Sequence, residues 1–456
     1  MSELELSKKR RLIFICLLSC LVAIASMFVA KLLLMGIGLF TNIFYFQSFS
    51  LTERAPSENT MGWFAVLVPV LGGVIVGLMA RFGSASIRGH GIPEAMENIL
   101  ERESRIPRRI TFLKPLSSAI AIGSGGPFGA EGPIIATGGA LGSWLGQIIP
   151  TTPYERKVIL ASGAAAGMTA IFGTPLAAVL LAIELLLFEF RAKSFIPVAL
   201  ATVVAATLRT VFFSSGAFFT MPDLAITTIP NLATYFVFGA MMGVLCVLVT
   251  KSIYWVEDQF EKLPLHWMWW PALGGIAVGI IGLIEPRSLG VGYDNITFSL
   301  SGQLTIGVAL SIFIWKFLSW AIALGSGTSG GTLAPLLTLG ATFGFVTGTV
   351  LNTAFPSLGV DPHAMALVGM AALFAGSSRA LLTSVVFALE GTKQPLGLVP
   401  LLGCCSIAYL ISTLLMKNSI MTEKIVRRGL KVPSDYYPAL SDLEEGPAKD
   451  HSAKAH

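Results

Sequence analysis

A single acidic residue, Glu131, stands in a segment of glycines, prolines and small apolar residues, GSGGPFGAEGPIIATGG at positions 123–139. An ionised carboxylate in such apolar surroundings is costly, so its presence predicts a functional role. Pro133 suits the first turn of a helix, because the N–H that proline lacks would have no helical partner there. Glycine amides at a helix N-terminus, with the positive end of the helix dipole behind them, form an anion site.

Two further segments have the same construction, GSGTSGGTLAP at 325–335 and RGHGIPE at 88–94. Three helix N-termini of this kind could converge on one dehydrated anion. The alternative is that the glycines only allow helices to pack closely, as small residues do in membrane proteins. The segment 123–139 is not a nucleotide phosphate loop, because it lacks the Lys-Ser/Thr pair and the strand context of such loops.

The carboxylate of Glu131 could itself occupy this anion site, and it would leave when protonated. That competition predicts a gate that responds to both anions and protons. Glu184 and Glu390 are the other acids deep in apolar runs, and their positions fit helix capping or packing as well as proton transfer. His90, between two glycines, fits either the anion site or a hydrogen bond to a loop carbonyl.

The elements that position these residues must lie in a membrane. Hydrophobic residues make up 54% of the 456 positions and charged residues 12%, far from the composition of a soluble domain. The apolar runs show no polar/apolar alternation, which favours helices over a barrel. Several runs are short and flanked by Gly or Pro, as expected of broken helices. The five cysteines lie inside apolar runs and predict neither disulfides nor a metal site.

Basic clusters flank the apolar runs at 8–11, 102–109, 191–193 and 424–428. The positive-inside rule places all four on the cytoplasmic side, which predicts cytoplasmic termini in a multi-pass protein of the plasma (inner) membrane, in contact with lipid. The first apolar run, 12–44, is too long for a signal peptide and is predicted to be retained. The net charge of +5 is explained by these flanks and requires no nucleic-acid partner.

The chain contains a weak internal repeat. The matched positions are Gly129, Pro133, Gly138 and Gly142 with Gly331, Pro335, Gly340 and Gly344, and Gly163, Ala165, Ala166, Ala182 and Glu184 with Gly369, Ala371, Ala372, Ala388 and Glu390. Chance matches among small residues are the alternative. The repeat predicts a first membrane half at 1–223 and a second at 231–432. Two such halves are typical of transporters whose site lies between repeats near the midplane.

Three motifs resemble those of the CLC family of chloride channels and proton/chloride antiporters. GAEGP at 129–133 is similar to the family's G(K/R)EGP, GHGIPE at 89–94 to its GSGIPE, and GGTLAP at 330–335 to its GxFxP. The resemblance implies an all-α, inverted-repeat membrane fold and a homodimer with one anion pathway per subunit. It also implies a transporter or channel rather than an enzyme, with chloride as the transported ligand and no cofactor.

The resemblance assigns roles to individual residues. Glu131 is similar to the family's external gating glutamate. The positions that resemble anion-binding positions are Gly129, Ala130, Gly132, Thr332 and Leu333, with His90 in the place of a serine and Met421 in the place of a tyrosine.

Four positions depart from the family pattern. Ala130 replaces a basic residue beside the gate, and Leu333 replaces a phenylalanine. Met421 replaces the tyrosine whose hydroxyl completes the central anion site. Leu185 replaces the internal proton-transfer glutamate of many antiporters. The inner barrier is therefore expected to be weaker and the internal proton route to differ.

Two mechanisms remain open on these residues. The first is proton-coupled chloride exchange, with an internal route through water, Glu184, Glu189 or His90. The second is a passive chloride channel gated by Glu131.

An intramembrane serine hydrolase is the hypothesis from a different class. Ser124 or Ser329 would be its nucleophile and His90 its base. Neither serine lies in a convincing nucleophile motif, and Glu131 would have no role.

The last segment, 433–456, is polar and acidic and has too little apolar content to fold alone. It is predicted to be a cytoplasmic tail without the paired regulatory CBS domains of many family members.

Overall fold

The computed structural model describes residues 3–213 and 216–433, where the chain is almost entirely helical. The helices are α1 (Glu3–Phe46), α2 (Leu67–Phe82), α3 (Ile92–Glu101), α4 (Arg108–Gly123), α5 (Glu131–Ile148), α6 (Pro153–Phe172), α7 (Pro175–Leu181), α8 (Ala192–Phe212), α9 (Ile229–Glu261), α10 (Trp270–Ile284), α11 (Tyr293–Leu300), α12 (Ile306–Gly325), α13 (Leu333–Ala354), α14 (Pro362–Ser378), α15 (Leu381–Thr392), α16 (Leu398–Leu415) and α17 (Glu423–Arg427). A π-helical turn, Ala182–Leu187, extends α7. The predicted tail at 433–456 lies outside the described residues, apart from Pro433.

Eight helices in the described part of the chain are long and apolar enough to cross a membrane. They confirm an integral, multi-pass membrane protein. Two further apolar segments, Pro175–Leu187 and Leu381–Thr392, are shorter than a spanning helix. These are short membrane segments of the kind that the Gly- and Pro-flanked runs predict.

Helices α2 and α10 show how the two halves pack. A β-carbon added at Gly73 would lie 2.4 Å from the Pro271 carbonyl oxygen, and one added at Gly275 would lie 2.5 Å from the Pro69 oxygen. The contacts are reciprocal, and each residue lies 202 positions from its counterpart. Only glycine allows this close approach of two backbones. The boundaries at 223 and 231 stay a prediction.

A second reciprocal contact joins α7 and α15. Both oxygens of Glu184 accept hydrogen bonds from first-turn amides of α15, those of Leu382 and Thr383, each at 2.9 Å. Glu390, on α15, accepts from the amides of Leu176 at 3.1 Å and Ala177 at 2.8 Å in the first turn of α7. Carboxylates stabilise helix N-termini because the first amides have no helical partner. Of the two roles that the sequence leaves open for these acids, the geometry favours capping.

Candidate anion site and its gate

The three glycine-rich segments meet inside the molecule. Gly331 donates a backbone hydrogen bond to the Gly129 oxygen at 3.0 Å, and Gly129 donates to the Gly331 oxygen at 3.3 Å. Gly330 donates to the Gly89 oxygen at 3.3 Å. The loops before α3, α5 and α13 are therefore joined by backbone hydrogen bonds, and the first turns of α5 and α13 lie side by side.

The loop before α3 requires glycine for its shape. Gly91 has φ +96°, a left-handed conformation, and a β-carbon there would lie 2.3 Å from the Gly132 carbonyl oxygen. A β-carbon added at Gly132 would lie 2.0 Å from the His90 oxygen. A side chain at either position would separate α3 from α5, so the glycines hold the amides of the site close together.

Glu131 is the first residue of α5 and is fully buried. Its Oε1 accepts a hydrogen bond of 2.8 Å from the Tyr293 hydroxyl. Its Oε2 has no hydrogen-bond partner among the described residues, and a β-carbon added at Gly129 would lie 1.6 Å from it. The carboxylate is thus folded back onto the loop that precedes its own helix.

The first turn of α13 and the residues before it lie next to this carboxylate. A β-carbon added at Gly331 would lie 3.1 Å from Glu131 Oε2 and 3.0 Å from the Gly132 nitrogen. Thr332, the N-cap of α13, and Leu333, its first residue, follow directly and are buried. The Thr332 hydroxyl has no hydrogen-bond partner in the described chain.

His90 is buried in the loop before α3, and its Nδ1 has no hydrogen-bond partner among residues 3–213 and 216–433. This geometry leaves a ring nitrogen available to a ligand or a water. The two serines of the hydrolase hypothesis are hydrogen-bonded elsewhere. Ser124 Oγ donates to the Ala121 carbonyl oxygen at 3.0 Å, and Ser329 Oγ lies 2.9 Å from Ser118 Oγ.

The other predicted residues have partners elsewhere. Glu189 accepts a hydrogen bond of 2.5 Å from Ser194 and lies 3.6 Å from the Lys157 ammonium. Met421 is buried in the turn before α17, where its N–H donates to Ser419 Oγ at 3.3 Å. Leu185 is buried in the π-helical turn.

Sequence reasoning missed a fourth glycine loop, GVG at 290–292, which precedes α11. Its glycines have φ +64° and +77°, and those of GHG at 89–91 have φ +102° and +96°. Each loop is followed at once by a helix, so Tyr293 takes the place in α11 that Ile92 takes in α3. The signal was present, because the two loops lie 201 positions apart, close to the spacing of the recognised repeat.

Two buried lysines were also missed, and each fixes one of these glycine loops. Lys114, on α4, donates to the oxygens of Ile87 at 2.8 Å and Gly89 at 2.9 Å. Lys316, on α12, donates to those of Ser288 at 3.1 Å and Gly290 at 2.6 Å. A buried ammonium needs such acceptors to offset its lost hydration. The lysines therefore fix both loops and place positive charge behind them.

A charged cavity of about 550 Å³ adjoins the GHG loop. Its lining includes Arg88, Glu94, Glu97, Glu257, Lys424 and Arg428. Lys424 lies 3.9 Å from Glu94 and 3.8 Å from Glu257, and Glu94 accepts the Gly91 amide hydrogen bond at 2.6 Å. Partial burial lowers the pKa of Arg88, whose guanidinium stacks on Trp267 at 4.7 Å. The cavity thus offers a polar approach to the loop of His90.

Known proteins are similar to this chain in sequence and in fold. The family described as "Voltage gated chloride channel" matches residues 71–413. An "H(+)/Cl(-) exchange transporter ClcA" from Vibrio parahaemolyticus is 31% identical over 382 residues, covering 80% of each chain. "Chloride channel protein CLC-f" from Arabidopsis thaliana is 30% identical over 370 residues, covering 75% of this chain and 46% of the relative.

Solved structures give the same fold at lower identity. A slow cyanobacterial Cl-/H+ antiporter superposes with a TM-score of 0.79 at 23% identity, covering 92% of this chain and 98% of the other. A CLC-type fluoride/proton antiporter superposes with a TM-score of 0.72 at 22% identity, covering 92% and 98%. These similarities confirm the helical, inverted-repeat fold and a transporter or channel rather than an enzyme. The chain belongs to the voltage gated chloride channel family, the CLC family.

Proposed function

We propose that the protein exchanges chloride for protons across a membrane and that Glu131 is its gate. The observation that carries the proposal is the buried carboxylate of Glu131, folded onto Gly129 at the junction of the glycine loops. The name of the Vibrio relative, an H(+)/Cl(-) exchange transporter, supports chloride and protons as the exchanged species.

The mechanism follows from competition for one site. The ionised carboxylate of Glu131 carries the charge of an anion and is attracted by the bare amides and by the N-terminal dipoles of α5 and α13. A proton removes that charge, so the carboxyl group leaves and chloride takes its place. When the carboxyl group releases its proton, the ionised carboxylate returns to the site and expels the chloride. Coupled exchange requires that chloride binding and protonation of Glu131 alternate, with chloride and the proton crossing the membrane in opposite directions.

The anion in transit would meet the amides of Gly129, Ala130 and Gly132, and those of Thr332 and Leu333. His90 is proposed to complete the inner part of the site, because its buried Nδ1 has no hydrogen-bond partner in the described chain. Met421 offers no hydroxyl there, so the inner barrier is low.

The internal proton route is proposed to run through water past His90. Glu184 is already held by two amides of α15, and Glu189 by Ser194 and Lys157. The loop of His90, in contrast, adjoins the charged cavity through Glu94. This route needs no acid at Leu185.

The assembly and orientation follow from the family resemblance and the charge pattern. We propose a homodimer with one pathway in each subunit, membrane halves at 1–223 and 231–432, and both termini in the cytoplasm. The basic flanks at 102–109 and 424–428 support that orientation, as does a plasma (inner) membrane location.

A passive channel gated by Glu131 is the second candidate. The observation in its favour is the buried, apolar side chain of Leu185 in the π-helical turn, which cannot carry a proton. A channel would pass chloride through the same amides without moving protons.

The deciding experiment measures chloride and proton movement together in proteoliposomes under a chloride gradient. Wild type should drive proton uptake against the proton gradient, and Glu131→Gln should abolish proton movement while chloride still moves. Glu101→Gln, at an exposed position on α3, is the matched control and should behave as wild type. Chloride movement without proton movement in wild type would establish the channel instead.

A further inference from the structure

Tyr293 is the side chain that hydrogen-bonds to Glu131. Its hydroxyl donates to Oε1 at 2.8 Å across 162 positions of sequence. Tyr293 begins α11 and Glu131 begins α5, so one hydrogen bond joins the first residues of two helices from different halves of the chain.

The tyrosine ring is held from two sides. It packs edge-on against Phe172, Phe218 and Phe219, with ring centroids 5.9, 5.1 and 6.2 Å away. The GVG loop behind it is fixed through its carbonyls by Lys316. Such packing leaves the hydroxyl few alternative positions and directs it at the carboxylate.

We propose that Tyr293 is a latch that holds the ionised Glu131 in the anion site and so sets the external pH at which anion flux begins. It is a positioning residue, acting through Glu131, and the inference rests on the proposed gating function of that residue.

The direction of the pH effect follows from the hydrogen bond that the Tyr293 hydroxyl donates to Glu131. A hydroxyl that donates to a carboxylate stabilises the ionised form more than the protonated form. With the latch in place, the external pH must therefore fall further before Glu131 is protonated and the gate opens. Other charged groups lie close enough to act on this network: Lys316, from α12, on Glu131, and Glu53, from the loop after α1, on Tyr293. Asp294, beside the tyrosine on α11, acts on Glu53.

Tyr293→Phe isolates the hydroxyl, because it keeps the ring, its aromatic neighbours and all three of these charges. Chloride flux into proteoliposomes would be measured against external pH for wild type, Tyr293→Phe, Glu131→Gln and the double variant. Tyr235→Phe, on α9, is the matched control for loss of a buried tyrosine hydroxyl.

The expected result is an upward shift of the half-maximal pH by about one unit in Tyr293→Phe, with several-fold greater flux at alkaline pH. Glu131→Gln should remove the pH dependence, and adding Tyr293→Phe to it should change the pH profile no further. Tyr235→Phe should match wild type.

Two results would overturn the latch and one would overturn the gate. If Tyr293→Phe titrates as wild type while Glu131→Gln loses its pH dependence, Glu131 gates without a latch. If Tyr293→Phe changes the pH profile equally with and without Glu131, the tyrosine acts elsewhere. If Glu131→Gln keeps the wild-type pH dependence, the proposed gate itself is wrong.

Discussion

The loops GHG at 89–91 and GVG at 290–292 occupy equivalent places in the two halves of the chain and differ in chemistry. Both contain two glycines with positive φ, both are held by a buried lysine, and both start a helix. The first presents His90 and adjoins a charged cavity, whereas the second presents Tyr293 to Glu131. The comparison shows that both halves place a glycine loop held by a buried lysine before a helix, and that different side chains at these loops, His90 and Tyr293, give them different chemistry.

The largest effect should come from removing either buried lysine. Lys316→Met and Lys114→Met each leave two or more buried carbonyls without their donor, at a cost of about 3 kcal/mol of stability. Thermal unfolding in detergent, followed by tryptophan fluorescence, should show similar losses for the two variants. Lys31→Met, at the partly exposed Lys31 on α1, is the control. A large loss of stability in only one of these two variants would show that the lysines do not have equivalent roles in the two halves.

A smaller and unequal effect is expected at the second glycine of each loop. A β-carbon at Gly91 meets the Gly132 oxygen at 2.3 Å, whereas one at Gly292 meets Asn295 Nδ2, a side-chain atom, at 3.0 Å. Gly292→Ala would have a left-handed helical conformation, which costs roughly 1–2 kcal/mol. Gly91→Ala would have a positive φ outside that region and must also move a backbone. Unfolding temperature and chloride flux should fall further for Gly91→Ala than for Gly292→Ala; the reverse order would contradict the assigned packing.

The smallest effect should be a change of anion preference at the middle residue of the loops. His90→Ser removes the buried ring nitrogen that lacks a described partner, so the ratio of chloride to nitrate flux should change about tenfold, equivalent to 1.4 kcal/mol. Val291→Ser, at the matching position of the GVG loop, should leave the ratio unchanged. Equal ratios in wild type and His90→Ser would exclude the histidine from the anion site.

The sequence could predict the helix starts because their signals are local. Glycines followed by Pro133 or Pro335 predict helix N-termini close to these prolines, and α5 and α13 begin at Glu131 and Leu333. The short, broken segments and the meeting of the glycine loops also follow from composition and repetition.

The contact between Tyr293 and Glu131 could not be predicted in the same way. It joins distant positions, and its loop shares only two glycines with GHG. The role of the two lysines could not be predicted for a related reason. The carbonyl oxygens that accept their hydrogen bonds are 25 or more positions away in the sequence, and without them a cation in an apolar helix suggests a pore lining. For Glu184 the sequence left capping and proton transfer open. Capping is favoured only once the structure shows that Glu184 accepts hydrogen bonds from the N-terminus of α15 and Glu390 from that of α7.

The most direct test of coupled exchange is the reversal potential of purified protein in a planar bilayer, measured at several chloride and proton gradients. Exchange through Glu131 predicts that the voltage of zero current shifts with both gradients, and that a proton gradient alone moves it. A reversal potential that follows the chloride gradient only, at every pH, would contradict exchange and identify a passive chloride channel.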